Sequence, residues 1–353
     1  MKRYLTPVLS AIAGLACYTA TVNADLSTEV VHTTDRSNNG GYANGMAVRA
    51  YGNTLAWVTH PSIVSYWDGQ TIHQIRNGYG SLAGDIHFSL YDGTLAWIGK
   101  AQGDPGYSVW YWNGAFDTGG QPNIEKISPV AMVVGSDGGD TSSLSLYDGQ
   151  IAWTSSDGND YEIYLWDGTY HDGLPNITQI SDNDDQDRAP SIADGMIAWR
   201  GGPSRFRQVV RYWDGSGVQT LGGSNVAGAP YSVSTSNGAI AWRGLYGFTI
   251  NYWDGTFNGG IPSIVTVAHG SVSNPSLHKG KISYYKRDPA RPQGEDSAVF
   301  YWNGADTIQL SEWYGLRAPV APATSGSGVA YMGVNATTDL QEIRFVTSTG
   351  LCL

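Results

Sequence analysis

The 353-residue chain is acidic, with 31 Asp and Glu residues against 20 Lys and Arg residues and a formal net charge of −11 at pH 7. Such a surface disfavours nucleic acid and anionic membranes as partners. Outside the N-terminal segment the sequence holds no run of apolar residues long enough for a membrane-spanning helix.

The N-terminus has the features of a secretory signal peptide. Lys2 and Arg3 precede an apolar stretch over residues 9–16, and a small-residue site ends at Ala24. We expect residues 1–24 to be removed and residues 25–353 to form one exported domain, periplasmic or extracellular. A lipoprotein anchored at Cys17 is the alternative, but a lipobox needs Leu at the position of Gly14. Cleavage would leave Cys352 as the only cysteine, so stability must come from a large apolar core.

The first predicted strand covers residues 28–33 and stands outside the repeats that follow it. An Ala-Trp pair closes a short apolar run five times, at Ala56-Trp57, Ala96-Trp97, Ala152-Trp153, Ala198-Trp199 and Ala241-Trp242, with weaker copies at Ser283-Tyr284 and Ala330-Tyr331. The first six are each followed by an aromatic run into a turn, at Asp68-Gly69, Asn113-Gly114, Asp167-Gly168, Asp214-Gly215, Asp254-Gly255 and Asn303-Gly304. Successive turns lie roughly 40 to 54 residues apart, a spacing typical of four-stranded propeller blades.

The clearest repeat predicts four strands, at residues 144–146, 151–154, 162–166 and 177–180. Asp-Gly pairs between the first and second strands and between the third and fourth suit tight hairpin turns. No helical periodicity is present after the signal peptide.

The last repeat offers only three strands, around residues 320–323, 328–332 and 342–347. The segment 28–33 matches the fourth strands of other repeats and would complete this blade. We therefore predict an all-β, seven-bladed β-propeller of four-stranded antiparallel blades, with the ring closed by an N-terminal strand in the last blade.

The segment from Ile151 to Gly168, followed by residues 177–181, resembles the propeller repeats of the TolB type, which occur in many exported bacterial proteins. The likeness is good for this blade and partial for the others, where the Pro-Asp-Gly turn of the family is replaced by Tyr-Asp-Gly, Ala-Asp-Gly or Ser-Asn-Gly. The resemblance implies the fold and brings no catalytic residues. Such propellers include protein-binding scaffolds, lectins and polysaccharide-degrading enzymes, so function has to be argued from a site.

Most tryptophans are predicted to pack between blades, because eleven of the thirteen occupy the two repeated positions. Trp110 falls on the same strand face as Trp112 and would extend the core. Trp313 lies with Tyr314 in a predicted loop between the sixth and seventh blades, where an aromatic ring either packs locally or contacts a ligand.

Propellers usually bind at the face that carries the loops between second and third strands and the connections between blades. The longest connection there runs from Ile127 to Ser143 and includes Asp137 and Asp140, and a second polar loop runs from Lys286 to Asp296. The candidate ligand-binding residues are Trp313, Tyr314, His60, Arg243, Asp137 and Asp140.

Two histidines, His87 and His278, fall on predicted first strands, which line the central channel. With arginines such as Arg49 and Arg200 they could form the site of a carbohydrate-active enzyme, most plausibly a polysaccharide lyase. No third ligand or carboxylate has an obvious place beside the histidines, so a shared metal or catalytic role is the weaker interpretation.

Carboxylates cluster once, in the segment from Asp182 to Asp187. Asp182, Asp184, Asp185 and Asp187 would suit Ca²⁺, although the glycine and distal glutamate of a helix-loop-helix calcium site are missing. The alternative is an exposed acidic turn, offset by Arg188.

Together these features favour an exported, monomeric binding or scaffolding module. We expect it to recognise a protein or a polysaccharide through the loop-rich face, with a polysaccharide lyase as the alternative. No nucleophile elbow, phosphate-binding loop or zinc-protease motif is present.

Overall fold

The computed structural model describes residues 28–34, 48–60, 63–76, 88–99, 101, 104, 106–128, 144–204, 207–221, 230–244, 248–292, 296–311, 313, 322–334 and 341–347. The expected signal peptide and Cys352 lie outside these ranges. All regular structure in the described residues is β-strand, arranged in seven antiparallel sheets that form the blades of a propeller. No helix in this part of the chain is long and apolar enough to cross a membrane.

The first strand of the chain, β1 (Thr28–Thr34), belongs to the last blade, and the blades themselves begin with β2. Blade 1 contains β2 (Val48–Tyr51), β3 (Thr54–His60), β4 (Ile63–Trp67) and β5 (Ile72–Arg76). Blade 2 contains β6 (Phe88–Tyr91), β7 (Thr94–Gly99), β8 (Ser108–Phe116) and β9 (Pro122–Lys126). Blade 3 contains β10 (Leu144–Tyr147), β11 (Gln150–Ser156), β12 (Tyr161–His171) and β13 (Leu174–Gln179).

The remaining blades repeat this order. Blade 4 contains β14 (Arg188–Ala193), β15 (Met196–Gly201), β16 (Val209–Trp213) and β17 (Val218–Thr220). Blade 5 contains β18 (Ser232–Ser236), β19 (Ala239–Gly244), β20 (Thr249–Asn258) and β21 (Ile261–His269). Blade 6 has an interrupted first strand, β22 (Ser271–Val272) and β23 (Ser276–His278), followed by β24 (Lys281–Arg287), β25 (Ser297–Trp302) and β26 (Thr307–Gln309). Blade 7 contains β27 (Ala323–Thr324), β28 (Gly328–Val334), β29 (Gln341–Thr347) and β1.

The ring closes as predicted. First strands of successive blades contact one another from β2 through β27, and β27 contacts β2 again. In blade 7, β1 pairs antiparallel with β29, from Thr28 opposite Val346 to Thr34 opposite Gln341. The outermost strand of the last blade therefore comes from the start of the chain, and an exposed edge on β29 is avoided.

Tryptophans form the core between blades, as the repeat predicts. The second-strand residues are each 2% exposed or less, namely Trp57, Trp97, Trp153, Trp199 and Trp242. Trp110 joins the same core, and its indole N–H donates to the carbonyl of Gly99 at 3.1 Å. These rings fill the space between flat neighbouring sheets and are unavailable to a ligand.

Hairpins between first and second strands use the predicted turns. In blade 3, Asp148 and Gly149 have φ angles of 47° and 74°. Asp-Gly at these positive angles matches the right-handed strand twist that two-residue hairpins require. The same geometry recurs in blades 2, 4, 5 and 6.

The predicted turns between third and fourth strands are wrong for blades 2, 3 and 5. In blade 3 the strand β12 continues through Asp167-Gly168 to His171, and the hairpin turns at residues 172–173. The Trp166 indole donates to the carbonyl of Thr169 at 2.8 Å, and the Thr169 N–H donates to Asp167 Oδ1 at 2.9 Å. This arrangement is a β-bulge, and the longer insertions in these three blades let both strands go on pairing beyond it.

Candidate functional site

The face that carries the loops between second and third strands and the connections between blades is called the loop-rich face. Two of its described regions hold charged or aromatic side chains that blade packing does not explain. One lies between blades 3 and 4, at residues 155–162 and 180–187. The other lies between blades 6 and 7, at residues 288–292 and Trp313.

Three carboxylates meet in the first region. Asp157 and Asp160 lie in the loop from β11 to β12, and Glu162 is the second residue of β12. One carboxylate oxygen from each lies within 4.8 Å of those of the other two. These residues are called the acidic triad.

Glu162 is fully buried and is held by the connection to blade 4. The Ser181 hydroxyl donates to its Oε2, and the backbone N–H of Asn183 donates to its Oε1 at 2.9 Å. Burial raises the pKa of Glu162 to about 7, although both hydrogen bonds act in the opposite direction.

Asp160 is the least compensated member of the triad. The residue is 7% exposed, and with Glu162 ionised neither carboxylate oxygen accepts a hydrogen bond from any described residue, whereas a protonated Glu162 donates to it. Burial raises the pKa of Asp160, and the negative charge of Asp157 raises it further. Asp157 is exposed, and its Oδ1 accepts the N–H groups of Asn159 at 2.8 Å and Asp160 at 3.1 Å, which lower its pKa. A buried carboxylate without a donor is costly unless a cation or a proton joins it.

The sequence-predicted metal ligands divide into two pairs. Asp185 and Asp187 form ion pairs with Arg211, whose Nη1 lies 2.9 Å from Asp187 Oδ1. Asp187 is fully buried and also accepts the side-chain N–H of Asn183 at 2.8 Å. Asp182 and Asp184 are exposed.

Arg211 takes the role that the sequence suggested for Arg188. The guanidinium of Arg188 instead lies 4.0 Å from the ring centroid of Tyr161 and donates to Gln186 Oε1 at 2.8 Å. Two of the four aspartates of the connection are thus paired with a cation from β16, which follows them by more than twenty residues.

Sequence reasoning missed the acidic triad, although the repeat held a signal for it. Glu162 lies two residues before Tyr164, which pairs with the second-strand aromatic Trp153. The equivalent positions in blades 2, 4, 5 and 6 are neutral, namely Ser108, Val209, Thr249 and Ala298. Blade 7 has Glu342 there, and Arg344 Nη2 lies 2.8 Å from its carboxylate. In blade 3 the residue equivalent to Arg344 is Tyr164, so the buried carboxylate has no cation on its own strand.

Trp313 is half-buried at the second region. Its ring meets Phe300 edge-to-face at a centroid distance of 5.8 Å, and the guanidinium of Arg291 lies 4.4 Å from its centroid. Arg291 comes from the loop between β24 and β25, and its Nε lies 3.6 Å from Asp288 Oδ2. Trp313 and Arg291 are called the Trp–Arg pair. Trp313 lies in the connection between blades 6 and 7 and Arg291 in the loop between the second and third strands of blade 6, so the pair joins these two segments of the loop-rich face.

The residues considered for a lyase lie in different blades, each with contacts of its own. Arg49 on β2 stacks over Phe88 at 5.1 Å, and burial lowers its pKa to about 10. Arg200 on β15 is buried, with Nη1 3.4 Å from Gln208 Oε1. His278 on β23 is half-buried beside Gly326, and burial lowers its pKa. His87 lies outside the described residues.

The other predicted ligand contacts are dispersed. Arg243 on β19 stacks over Tyr231 at 4.6 Å and donates to the carbonyl of Val272 at 3.4 Å. His60 ends β3, and its side chain lies outside the described part of the chain. Tyr314, Asp137 and Asp140 lie outside it as well, so their roles stay predictions.

No protein-family model matches the chain, and no curated protein matches its sequence. Solved structures do match. A puromycin hydrolase aligns with a TM-score of 0.59 at 13% identity over 88% of this chain, which spans about half of that protein, 53%. The β-propeller domain of the Trilobed protease from Pyrococcus furiosus aligns with a TM-score of 0.50 at 13% identity, over 74% of this chain and 79% of that one. That domain has an open velcro topology, whereas β1 closes the ring here.

TolB from Acinetobacter baumannii is also among the similar structures, with a TM-score of 0.48 at 14% identity over 77% of this chain and 67% of that one. The seven antiparallel blades confirm the propeller fold that the resemblance to TolB-type repeats implies. At such identities the likeness shows the fold alone, and the activities of these proteins do not transfer.

Proposed function

We propose that this protein is an exported, monomeric binding module that recognises a protein or a polysaccharide through its loop-rich face. The propeller fold supports a binding or scaffolding module in general. The N-terminal signal sequence supports export, and a ring closed by a strand of the same chain needs no second copy for its assembly.

The observation that carries the proposal is the Trp–Arg pair. The repeated tryptophans are used in packing between blades, whereas Trp313 is half-buried in a connection of the loop-rich face. An indole with a guanidinium beside it offers an apolar surface and hydrogen-bond donors together. Trp and Arg are each enriched among the residues that dominate binding energy, and aromatic rings also stack on sugars.

Catalysis has less support. Arg49, Arg200 and His278 belong to blades 1, 4 and 6, and the contacts described for each are with other residues. A lyase needs a base and a charge-stabilising group at one substrate carbon.

Affinity gel electrophoresis of the mature protein through acidic and neutral polysaccharides tests the proposal. We expect retardation by at least one polysaccharide and a weakening of about tenfold or more in Trp313→Ala. Phe257→Ala is the matched control, because Phe257 is an exposed ring that meets Trp253 edge-to-face at 5.3 Å on the opposite face. Cleared zones in the gel would support the lyase instead.

If no polysaccharide retards the protein, the search turns to protein partners. Cross-linking of the wild type and Trp313→Ala in the native envelope fraction then provides the test. Equal cross-linking of the two proteins would place the binding surface away from the Trp–Arg pair.

A further inference from the structure

We propose that the acidic triad of Asp157, Asp160 and Glu162 binds a Ca²⁺ ion at the junction of blades 3 and 4. The site is separate from the Trp–Arg pair and does not depend on what the loop-rich face recognises. Its ligands differ from the carboxylates of residues 182–187 that the sequence suggested.

The unpartnered carboxylate of Asp160 is the observation that points to a cation. Asp160 is 7% exposed, and both of its carboxylate oxygens are buried without a donor among the described residues as long as Glu162 is ionised. One of these oxygens lies within 4.8 Å of a carboxylate oxygen of each other member of the triad. The nearby cationic side chains are engaged elsewhere, because Arg211 binds Asp185 and Asp187 and Arg188 stacks on Tyr161. A buried charge of this kind persists when a cation compensates it.

The geometry fits calcium. Two oxygens that bind one Ca²⁺ ion at about 2.3–2.6 Å lie no more than about 5 Å apart. The triad oxygens are within 4.8 Å of one another, and all are carboxylate oxygens. Calcium accepts such irregular oxygen sets, whereas zinc favours nitrogen and sulfur ligands and magnesium retains most of its waters.

The surrounding contacts hold the triad in place. Asp157 Oδ1 accepts hydrogen bonds from the backbone N–H groups of Asn159 and Asp160 in its own turn, which leaves Oδ2 to bind an ion. Glu162 is fixed by Ser181 and Asn183, both from the connection to blade 4. An ion bound here would tie the loop of blade 3 to that connection and stabilise both on the loop-rich face.

The competing explanation is a proton shared between Asp160 and Glu162. A shared proton also satisfies two buried carboxyl groups, but in that case calcium would neither bind to the protein nor stabilise it. Calcium binding at constant pH therefore separates the two explanations.

The test is calorimetric titration of the mature full-length protein, freed of metal with a chelator, with CaCl₂ at neutral pH. We expect one site with a Kd on the order of 10⁻⁴ M or tighter, as in extracellular calcium modules. At a calcium concentration of about one hundred times the Kd, Tm should rise by about 4 °C. The absence of both heat and a Tm shift at 10 mM CaCl₂, about one hundred times that Kd, would overturn the proposal.

Two variants and two controls identify the ligands. Asp160→Asn should abolish binding, and Asp157→Asn should weaken it at least tenfold while its amide oxygen keeps both turn hydrogen bonds. Asp157→Asn also keeps the test valid if Asp160→Asn does not fold, because Asp157 is exposed. Asp182→Asn and Asp172→Asn, both at exposed sites, should bind as the wild type does. Loss of binding in Asp182→Asn with full binding in Asp157→Asn would overturn the proposed ligand set.

Discussion

Replacing Glu162 by glutamine should change how the stability of the metal-free protein depends on pH. The folded-state pKa of about 7 lies above the usual 4.5, so the folded protein binds more protons than the unfolded chain between these values. Protonated Glu162 therefore contributes stability in full below about pH 4.5, and this contribution is lost as the pH rises through about 7. The glutamine variant keeps the shape of the side chain and removes this titration.

The size of the effect follows from the shift. One pKa unit corresponds to about 1.4 kcal/mol, so the shift of Glu162 corresponds to about 3 kcal/mol. Relative to the wild type, Glu162→Gln should gain about 3 kcal/mol of unfolding free energy between pH 4.5 and pH 8 in metal-free buffer. The gain comes from removing a charge that is buried at high pH.

Urea denaturation of both proteins across this pH range measures the difference directly. Titrating groups that do not interact with Glu162 cancel in the comparison, whereas Asp160 and Asp187, which do interact with it, contribute to the difference. With saturating calcium at pH 8 the wild type should be the more stable of the two proteins, since the ion favours the ionised carboxylate. A difference between the two proteins that does not vary with pH in metal-free buffer would refute the reasoning.

Three further predictions concern the fold. Gly168→Ala should lower the free energy of unfolding, measured by urea denaturation, by about 2 kcal/mol or more. The φ angle of Gly168 is 84°, and a Cβ there would lie 2.9 Å from the carbonyl oxygen of Gly149. Gly215→Ala, with φ of 92° and open space around it, should cost about 1 kcal/mol, and equal costs would contradict the bulge geometry. Arg211→Ala should cost about 3–5 kcal/mol, since it leaves the fully buried Asp187 without its cation, and a loss under 1 kcal/mol would show that Asp187 is not buried in charged form. Deleting residues 28–34 should expose β29 and cause aggregation in size-exclusion chromatography, whereas a monodisperse product would contradict the closure.

The blades were readable from the sequence because their packing repeats. Each second strand needs a large ring between two flat sheets, and each first hairpin needs residues that tolerate positive φ, so Trp153 and Asp148-Gly149 recur at a fixed spacing. The closing strand was readable as well, because the last repeat was one strand short.

The bulges were not readable from the same pattern. Asp167-Gly168 and Asp214-Gly215 look alike in sequence, yet only the first lies inside a long strand. The difference lies in the residues that follow, because blade 3 has a second turn at residues 172–173 that lets β12 continue. Local turn propensity does not show which of two turns ends a hairpin.

The acidic region shows a different limit. The run from Asp182 to Asp187 was visible as a cluster, but its cation, Arg211, lies on a strand that reaches it only in the folded blade. Asp157, Asp160 and Glu162 looked like a polar loop and a strand residue. The three lie within six residues of one another in the hairpin from β11 to β12. What the local pattern does not record is the long-range burial of Glu162 against the connection to blade 4, where Ser181 and Asn183 hold it.

The most direct measurement is anomalous diffraction from crystals of the mature protein grown with Tb³⁺ in place of Ca²⁺. We predict one strong peak bound by oxygens of Asp157, Asp160 and Glu162 at the junction of blades 3 and 4. A peak held instead by Asp182 and Asp184, with Asp160 unliganded, would contradict the account, and so would the absence of a peak near blade 3.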